Sequence, residues 1–281
     1  MSKDGSQISV IVTRYSETLE IVKACLNSLS KQTTCKVNVF FLDQMVSEET
    51  KKYVNHFKNK RISFEYINIP VKSLSYARNY GLKKAPTKYV AFCDVDCILE
   101  KNWCKEIVNT FRKLHPAIVG TKVLPSWERK TDWYHKQRII QEFYSLIDLS
   151  NDYCDLPKVI GASFAVDKSR FNKDIHFNEK LGRQKGLLLG GEETEFCQKV
   201  KDSGGKIVYT PYTHANHQIS SDRMERSWLQ KRAFYGGLSR AIRGGRIEPF
   251  NKKKTFLDKI ATLLILPFYL SGYFKGKFFK I

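Results

Sequence analysis

Short apolar runs alternate with amphipathic stretches along the first hundred residues of the chain. Four runs are rich in β-branched and aromatic side chains, which favour strands: 8–13, 37–43, 62–69 and 89–94. The stretch after the first run has apolar residues at helical spacing: Leu19, Val22, Leu26 and Leu29. Strands that alternate with helices predict an α/β fold with a Rossmann-like, mostly parallel sheet flanked by helices.

Capping residues predict further helices beyond the first. Ser47 and Ser73 each precede a segment with one apolar face, so each serine can cap a helix. Two more strands are predicted at 118–124 and 159–166. Gly191 precedes an acidic turn that opens another helix.

Polar side chains follow three of the predicted strands. Thr13, Asp43 and Asp94 lie at or just after strand ends. Ligands of wound sheets bind at the carboxyl ends of the strands, so we expect these three residues on one rim. The segment after the first strand has no glycine-rich fingerprint, which disfavours a nicotinamide or flavin cofactor.

Two carboxylates stand one residue apart at the end of the fourth strand. Asp94 and Asp96 would project to the same side of an extended chain, about 7 Å apart. Like charges this close need a counter-ion, and carboxylate oxygens suit Mg²⁺ or Mn²⁺. The alternative for an isolated D-x-D is a strand that ends in an acidic turn.

Charge indicates an anionic partner. The chain has 281 residues and a formal net charge of +20, which suits nucleic acid, phosphate-bearing metabolites or a membrane face. Residues 222–281 hold 14 basic and four acidic side chains. The seven cysteines include no C-x-x-C pair, and no leader precedes them, which favours a reducing cytoplasm and disfavours zinc.

Eight short segments occur together in an order and spacing that resemble the family 2 glycosyltransferases of the GT-A fold: ISVIVTRYSE, SLSKQT, FFLD, SYARNYG, YVAFCDVD, GASFAV, GGEETEFCQKV and YTPYTHANH. The resemblance spans roughly residues 7–240. The chain departs from the family pattern at Thr13 and Ser16, where proline and asparagine are usual, and at Gln44, where a second aspartate is frequent. Glu192-Glu193 replaces the usual Glu-Asp pair.

The resemblance implies a donor site for a nucleotide-diphosphate sugar and a bound Mn²⁺ or Mg²⁺. It assigns Asp96 as the metal ligand, with His217 beside it and His214 as the alternative. It assigns contacts with the donor to several further residues: Thr13, Tyr15, Asp43, Arg78 and Asp94. The tyrosine ring can stack on a base, and the arginine can meet the acidic nucleotide.

The resemblance also implies an inverting, metal-dependent hexosyltransferase. Glu193 is the expected general base, and Glu192 is expected to bind the acceptor, with the choice between the two left open. Their position at a helix start has a structural alternative, since acidic residues there gain about 0.3 to 1 kcal/mol from the helix dipole. The acceptor is expected to be a hydroxyl of a glycan or a lipid-linked compound, in cell-surface polysaccharide or glycolipid synthesis.

The C-terminal sixty residues divide into two predicted parts after a catalytic domain at 1–221. That domain comprises a nucleotide-binding half (about 1–98) and an acceptor half (about 99–221). Residues 222–254 form a basic helical extension, whose helix is expected to break at Gly236 and Gly237. Arg232 in this extension is expected to face the donor diphosphate or an anionic acceptor; the alternative is a solvated helix.

Residues 255–281 form an apolar tail with basic flanks. It is short for a span and contains Pro267, so we expect it to lie in the interface of an anionic membrane, which places the protein in the cytoplasm on the inner face. The alternative is packing on the domain or a second subunit, so an oligomer is possible. Rival functions are a nucleotidyltransferase, a basic nucleic-acid-binding protein and an inactive scaffold; no nucleic acid is expected as partner.

Overall fold

The structure is a computed structural model that describes residues 7–33, 36–57, 62–172, 174–245 and 255–278. Its first half alternates strands and helices as the hydrophobic pattern predicts: β1 (Ile8–Arg14), α1 (Leu19–Ser30), β2 (Val37–Asp43), α2 (Glu48–His56), β3 (Ile62–Asn68), α3 (Leu74–Lys84) and β4 (Tyr89–Asp94). Two predicted caps are present. The Oγ atoms of Ser47 and Ser73 accept the backbone N–H groups of Thr50 and Tyr76, both at 3.3 Å.

The second half is less regular, and its elements are β5 (Cys97–Leu99), α4 (Trp103–Leu114), β6 (Ile118–Trp127), α5 (Arg138–Gln141), β7 (Cys154–Asp155), β8 (Ser163–Asp167), α6 (Glu192–Asp202), β9 (Ile207–Ile219), α7 (Arg226–Ile242), α8 (Phe256–Leu263) and α9 (Leu266–Phe278). The strand predicted at 159–166 begins only at Ser163. The residues before it form the loop that carries Gly161, whose carbonyl is used at the site described below.

The strands form one sheet in the order β3-β2-β1-β4-β8-β6-β9-β5, with β7 on β9. The first four strands are parallel, as predicted. In the remainder, β6 and β9 are also parallel, but the expectation of a mostly parallel sheet misses that β8 runs antiparallel to both β4 and β6. The sheet is therefore mixed, and the carboxyl end of β4 lies where the strand direction changes.

Side chains of alternate residues in the central strands pack into two hydrophobic cores, one on each face of the sheet. Val10 and Val12 pack with Trp103 of α4 on one face. Ile11 packs with Phe92 and Phe164 on the other face, which α3 and α6 cover. This period of two explains why β1 is apolar throughout, since a strand covered on both faces has no solvent side.

Helix α7 runs without a break through Gly236 and Gly237, which corrects the predicted interruption. The glycines have a packing reason instead. A Cβ at Gly237 would overlap the carbonyl oxygen of Tyr269, and one at Gly272 would overlap that of Phe234. Helix α9 therefore lies directly on α7, backbone against backbone.

The apolar tail contains two short helices among the described residues. No single helix there is long and apolar enough to cross a membrane, and the pair α8 and α9 reaches the required length only together, with a bend of 55° between them. Residues 246–254 of the predicted basic extension and 279–281 of the predicted tail lie outside the described residues.

Candidate active site

The predicted rim forms at the carboxyl ends of β1, β2 and β4. Thr13 pairs in register with Asp94 across β1 and β4, and its Oγ1 donates to Asp94 Oδ1 at 3.4 Å. The next residue along β1, Arg14, pairs in register with Asp43 of β2. The three polar residues that the sequence places at strand ends are therefore neighbours.

Asp43 is fully buried, and both of its oxygens are already bonded within the protein. Arg14 Nη1 donates to Oδ1 at 2.8 Å, and the Tyr66 hydroxyl donates to Oδ2 at 2.8 Å. Tyr15 lies half-exposed beside this pair, and its backbone N–H donates to the Glu17 carboxylate at 2.8 Å. Asp43 thus fixes the loop that presents the Tyr15 ring, while base recognition by either residue stays a prediction.

Arg78 joins the aspartate motif to the glutamate pair. Its guanidinium is 1% exposed and contacts Asp94 Oδ1 at 3.2 Å and Glu192 Oε1 at 2.8 Å. It also donates to the carbonyl of Gly161 at 2.8 Å. Burial opposes the charge of Arg78, but the surrounding carboxylates outweigh burial and raise its pKa. Arg78 is therefore a fixed internal cation, and a direct contact with a nucleotide stays a prediction.

The two carboxylate oxygens of Asp96 differ in their hydrogen bonding. Oδ2 accepts from Arg223 Nη1 at 2.9 Å and lies 3.1 Å from His217 Nε2. Oδ1 is buried and has no hydrogen-bond partner in the structure. Burial alone would raise the pKa of Asp96, but His217 and Arg223 outweigh it and hold the pKa below its usual value.

The His217 ring is oriented as a metal ligand would be. Its Nδ1 lies 2.8 Å from the carbonyl of Tyr144; a carbonyl only accepts, so Nδ1 carries a proton. In the neutral ring, Nε2 then presents a lone pair towards Asp96 Oδ2, where a bound cation would join the two atoms; in the protonated ring, Nε2 donates to Oδ2 instead. Neighbouring ligands of a metal with bonds of about 2.1 Å are about 3 Å apart, which matches the observed separation of 3.1 Å.

The protein alone does not complete a metal shell. Within the described ranges, no cluster of three or more histidine, cysteine, aspartate or glutamate side chains could hold an ion. Mg²⁺ and similar ions are often held by one or two carboxylates together with substrate phosphates and water. Asp96 and His217 fit that arrangement. His214, the alternative, pairs instead with Glu100 at 2.9 Å.

Three charged residues at this site were missed by the sequence reasoning: Arg223, Arg183 and Glu17. Arg223 contacts Asp96, and its Nε and Nη2 atoms are buried without a hydrogen-bond partner. Arg183 is exposed and acts electrostatically on Asp94 and Asp96. Desolvation and the charge of Asp96 raise the pKa of Glu17. No local motif marks these residues, because the tertiary fold brings them to the rim.

The two glutamates at the start of α6 have opposite electrostatic environments. Glu192 is 3% exposed, and burial together with the charge of Glu193 raises its pKa to about 8. Burial acts on Glu193 in the same sense, but Arg78 outweighs it and lowers the pKa of Glu193. Near neutral pH the pair therefore holds one proton on Glu192 and one charge on Glu193, as a general base at Glu193 requires.

A cavity of about 650 Å³ adjoins Glu193 and is also lined by Thr194, Arg232, Arg240 and Arg243. Asp94, Asp96 and His217 are not among its lining residues. The cavity therefore belongs to the glutamate side, and the contacts of Arg78 connect it with the aspartate side. Arg232 Nη1 donates to the carbonyl of Leu188 at 3.0 Å, which holds this arginine at the wall.

Comparisons with known proteins agree with this fold. A curated relative, the glucosyl-dolichyl phosphate glucuronosyltransferase of Haloferax volcanii, is 23% identical over 245 residues, which cover 84% of this chain and 77% of that protein. The solved structure of GalNAc-T7 with UDP, GalNAc and Mn²⁺ superposes with a TM-score of 0.60 at 15% identity, over 95% of this chain and 56% of that one. S. aureus TarS with UDP-GlcNAc gives a TM-score of 0.55 at 17% identity, over 96% and 73%.

The sheet, the acidic rim and the glutamate pair define a glycosyltransferase of the GT-A fold, as the sequence resemblance implied. The chain belongs to glycosyl transferase family 2, whose sequence profile matches residues 9–174. This membership favours the glycosyltransferase expectation over the nucleotidyltransferase and nucleic-acid-binding alternatives.

Proposed function

We propose that the protein transfers a sugar from a nucleotide-diphosphate sugar to a hydroxyl group of a glycan or lipid-linked acceptor, with inversion at the anomeric carbon. The observation that carries this proposal is the bridge made by Arg78. One guanidinium contacts both Asp94 and Glu192, at 3.2 and 2.8 Å. Arg78 thereby holds Asp94, on the proposed donor side, at a fixed distance from Glu192 and Glu193, on the proposed acceptor side. Transfer between two substrates requires such a fixed arrangement.

The donor side contains the groups that a departing diphosphate needs. Asp96 and His217 would hold Mn²⁺ or Mg²⁺, which when bound supplies positive charge to the leaving nucleotide. Arg223 keeps two buried nitrogen donors free of protein partners, so it can bind a phosphate oxygen without first losing a bond. Thr13 and Asp94 lie together on the rim and Tyr15 follows β1, and all three remain proposed contacts of the nucleoside.

The acceptor side contains the base. Glu193 is charged near neutral pH and lines the open cavity, so it can take the proton from an acceptor hydroxyl as that oxygen attacks the anomeric carbon. Glu192 is buried, is held by Arg78 and does not line the cavity, so its raised pKa leaves the charge of the pair on Glu193; a contact of Glu192 with the acceptor stays a prediction. Direct displacement from the face opposite the leaving group inverts the anomeric configuration.

We further propose that the protein works in cell-surface polysaccharide or glycolipid synthesis, in the cytoplasm and on the inner face of the membrane. The names of relatives support the pathway: a glucosyl-dolichyl phosphate enzyme and a succinoglycan biosynthesis protein. Large apolar side chains on α8 and α9 support the membrane contact, since Phe256, Leu263 and Phe278 are 76%, 67% and 78% exposed. Lys259 and Lys275 lie exposed on the same helices, where they can meet anionic lipid.

A donor screen tests the proposed activity. The purified chain is incubated with a panel of nucleotide sugars and Mn²⁺, and release of the nucleoside diphosphate is measured. We expect one class of donor to be hydrolysed, and Asp96→Ala to remove the hydrolysis. Asp202→Ala is the matched control, because Asp202 is exposed at the end of α6, and it should behave as wild type. Absence of hydrolysis with every donor, or full activity of Asp96→Ala, would contradict the proposal.

A further inference from the structure

The cavity beside Glu193 has more positive charge than a neutral acceptor requires. Its lining includes five basic side chains, namely Arg138, Lys158, Arg232, Arg240 and Arg243. Its acidic lining consists of Glu142, Glu193 and Asp258. One of these three, Glu193, is the base that faces the reacting hydroxyl. The wall beyond the base is therefore strongly positive.

The two innermost arginines are fitted against the glycine pair that precedes the glutamates. A Cβ at Gly190 would lie 3.0 Å from Arg232 Nη2, and a Cβ at Gly191 would lie 2.8 Å from Arg243 Nε. Gly191 also has φ +84°, a conformation that favours glycine. The two glycines thus let the guanidinium groups pack within van der Waals distance of the backbone that carries the base.

These arginines retain unused hydrogen-bond donors. The Nε atoms of Arg232 and Arg243 are buried and lack a hydrogen-bond partner in the structure. Burial and the charge of Arg183 lower the pKa of Arg232 to about 10, so the side chain stays charged near neutral pH. Buried donors without partners are costly, and an anion that enters the cavity would satisfy them.

We propose that this cavity binds a phosphate group of the acceptor, so that the acceptor is a phosphate-bearing alcohol rather than a neutral glycan. The inference rests on the proposed function and identifies its acceptor class. A phosphate offers several acceptor oxygens and matches the planar donor geometry of arginine. Arg243 and Arg232 hold the phosphate, and Glu193 receives the proton from a hydroxyl carried on the same molecule.

The donor diphosphate does not account for these arginines. In the proposed function it binds on the other side of Arg78, where Asp96, His217 and Arg223 lie, and none of those three lines the cavity. The far wall of the cavity comes from the C-terminal helices, through Asp258 of α8 and Tyr269 of α9. The phosphate site therefore adjoins the helices with the exposed apolar side chains, a geometry that suits a lipid phosphate as well as a soluble one.

The first experiment uses the wild-type chain and needs no variant. Donor hydrolysis without acceptor is measured first. Transfer is then compared between two synthetic acceptors that share one sugar, one with an alkyl phosphodiester and one with a neutral alkyl ether. We expect kcat/KM to be at least about tenfold higher for the phosphodiester, from one or two charge-assisted contacts. Equal values with normal donor hydrolysis would overturn this inference alone, whereas absence of donor hydrolysis would overturn the proposed function and this inference with it.

Variants test whether the preference for the phosphodiester acceptor arises from the arginines of this cavity. Arg243→Met should reduce transfer to the phosphodiester at least about tenfold more than it reduces transfer to the neutral ether, and should raise KM for the phosphodiester more than it lowers kcat. Arg112→Met, on the exposed side of α4, makes the same change of charge and should have no effect. An equal loss for both acceptors in Arg243→Met would overturn the assignment.

Two forms of the phosphodiester distinguish the source of the phosphate. One has a short soluble chain, and the other has a long chain presented in phosphatidylcholine vesicles. Faster transfer to the long-chain form would identify a lipid-linked acceptor, and equal transfer would identify a soluble phosphate-bearing glycan. Either result supports the phosphate site. Transfer to neither form, with normal transfer to the neutral ether, would overturn it.

Discussion

Replacement of Arg78 by methionine tests the bridge between the two halves of the site. The substitution keeps an unbranched apolar stem, which can still contact the Phe164 and Phe177 rings that lie 5.6 and 5.9 Å from the guanidinium. It removes the cation between Asp94 and Glu192 and the donor to the Gly161 carbonyl. Asp94 and the charge of the glutamate pair then lose their buried counter-ion.

The size of the stability loss in Arg78→Met follows from the burial of the ion pair. Loss of one partner from a buried ion pair costs about 3 to 5 kcal/mol, because the remaining charge is uncompensated. At about 2 to 4 °C per kcal/mol, the melting temperature should fall by about 6 to 20 °C. The pKa of Glu192 is already raised to about 8, so without Arg78 this carboxyl stays protonated more readily. The loss should therefore be smaller at pH 6 than at pH 8.5.

Thermal unfolding of wild type and Arg78→Met at both pH values measures the loss. Lys84→Met is the control on the same helix, because Lys84 pairs with Glu65 at 2.9 Å but the two side chains are 36% and 50% exposed. Such an exposed pair contributes at most about 1 kcal/mol. The reasoning is refuted if Arg78→Met melts within 2 °C of the control, or if its deficit is larger at pH 6.

Three further predictions concern the glutamates and the helix contact. Glu193→Gln should bind donor as wild type does but turn over at least about a hundredfold slower; a smaller loss in a steady-state transfer assay would exclude it as the base. The native state holds a proton on Glu192 that the unfolded chain releases, so the free energy of unfolding should fall as the pH rises towards 8, by up to about 1.4 kcal/mol per unit. Chemical denaturation should show that Glu192→Gln removes this fall. Gly237→Ala should lower the melting temperature by overlap with Tyr269, at a cost of about 1 to 3 kcal/mol, whereas Gly236→Ala, whose Cβ meets only ring atoms at 3.3 Å and beyond, should not.

The sequence predicted the elements whose signals are local. The β1 run and the caps at Ser47 and Ser73 are present as predicted. Thr13 and Asp94 meet on one rim because parallel strands align their carboxyl ends. Local periodicity could not give the direction of β8, since strand direction depends on the connections between elements. The continuity of α7 through Gly237 was also missed, because the reason for that glycine lies on α9, distant in sequence.

Site residues that belong to a local motif were predicted from the sequence, whereas those brought in by the tertiary fold were not. Asp96 and His217 were found from the D-x-D motif and the family resemblance, and the structure brings them to 3.1 Å. Arg223 contacts the same aspartate but has no motif of its own. Asp43 was assigned to the donor base, but its oxygens bind Arg14 and Tyr66. A sequence shows which side chains are available, but it does not show which partner each has acquired in the folded chain.

One crystallographic measurement tests the central claim most directly. Crystals of the protein are grown with Mn²⁺ and the nucleoside diphosphate of the active donor, and anomalous data are collected at the manganese edge. The account predicts one anomalous peak in contact with Asp96, His217 and the diphosphate, with Glu193 facing the open side of the sugar position. A nucleotide bound elsewhere, or a peak that contacts neither Asp96 nor His217, would contradict it.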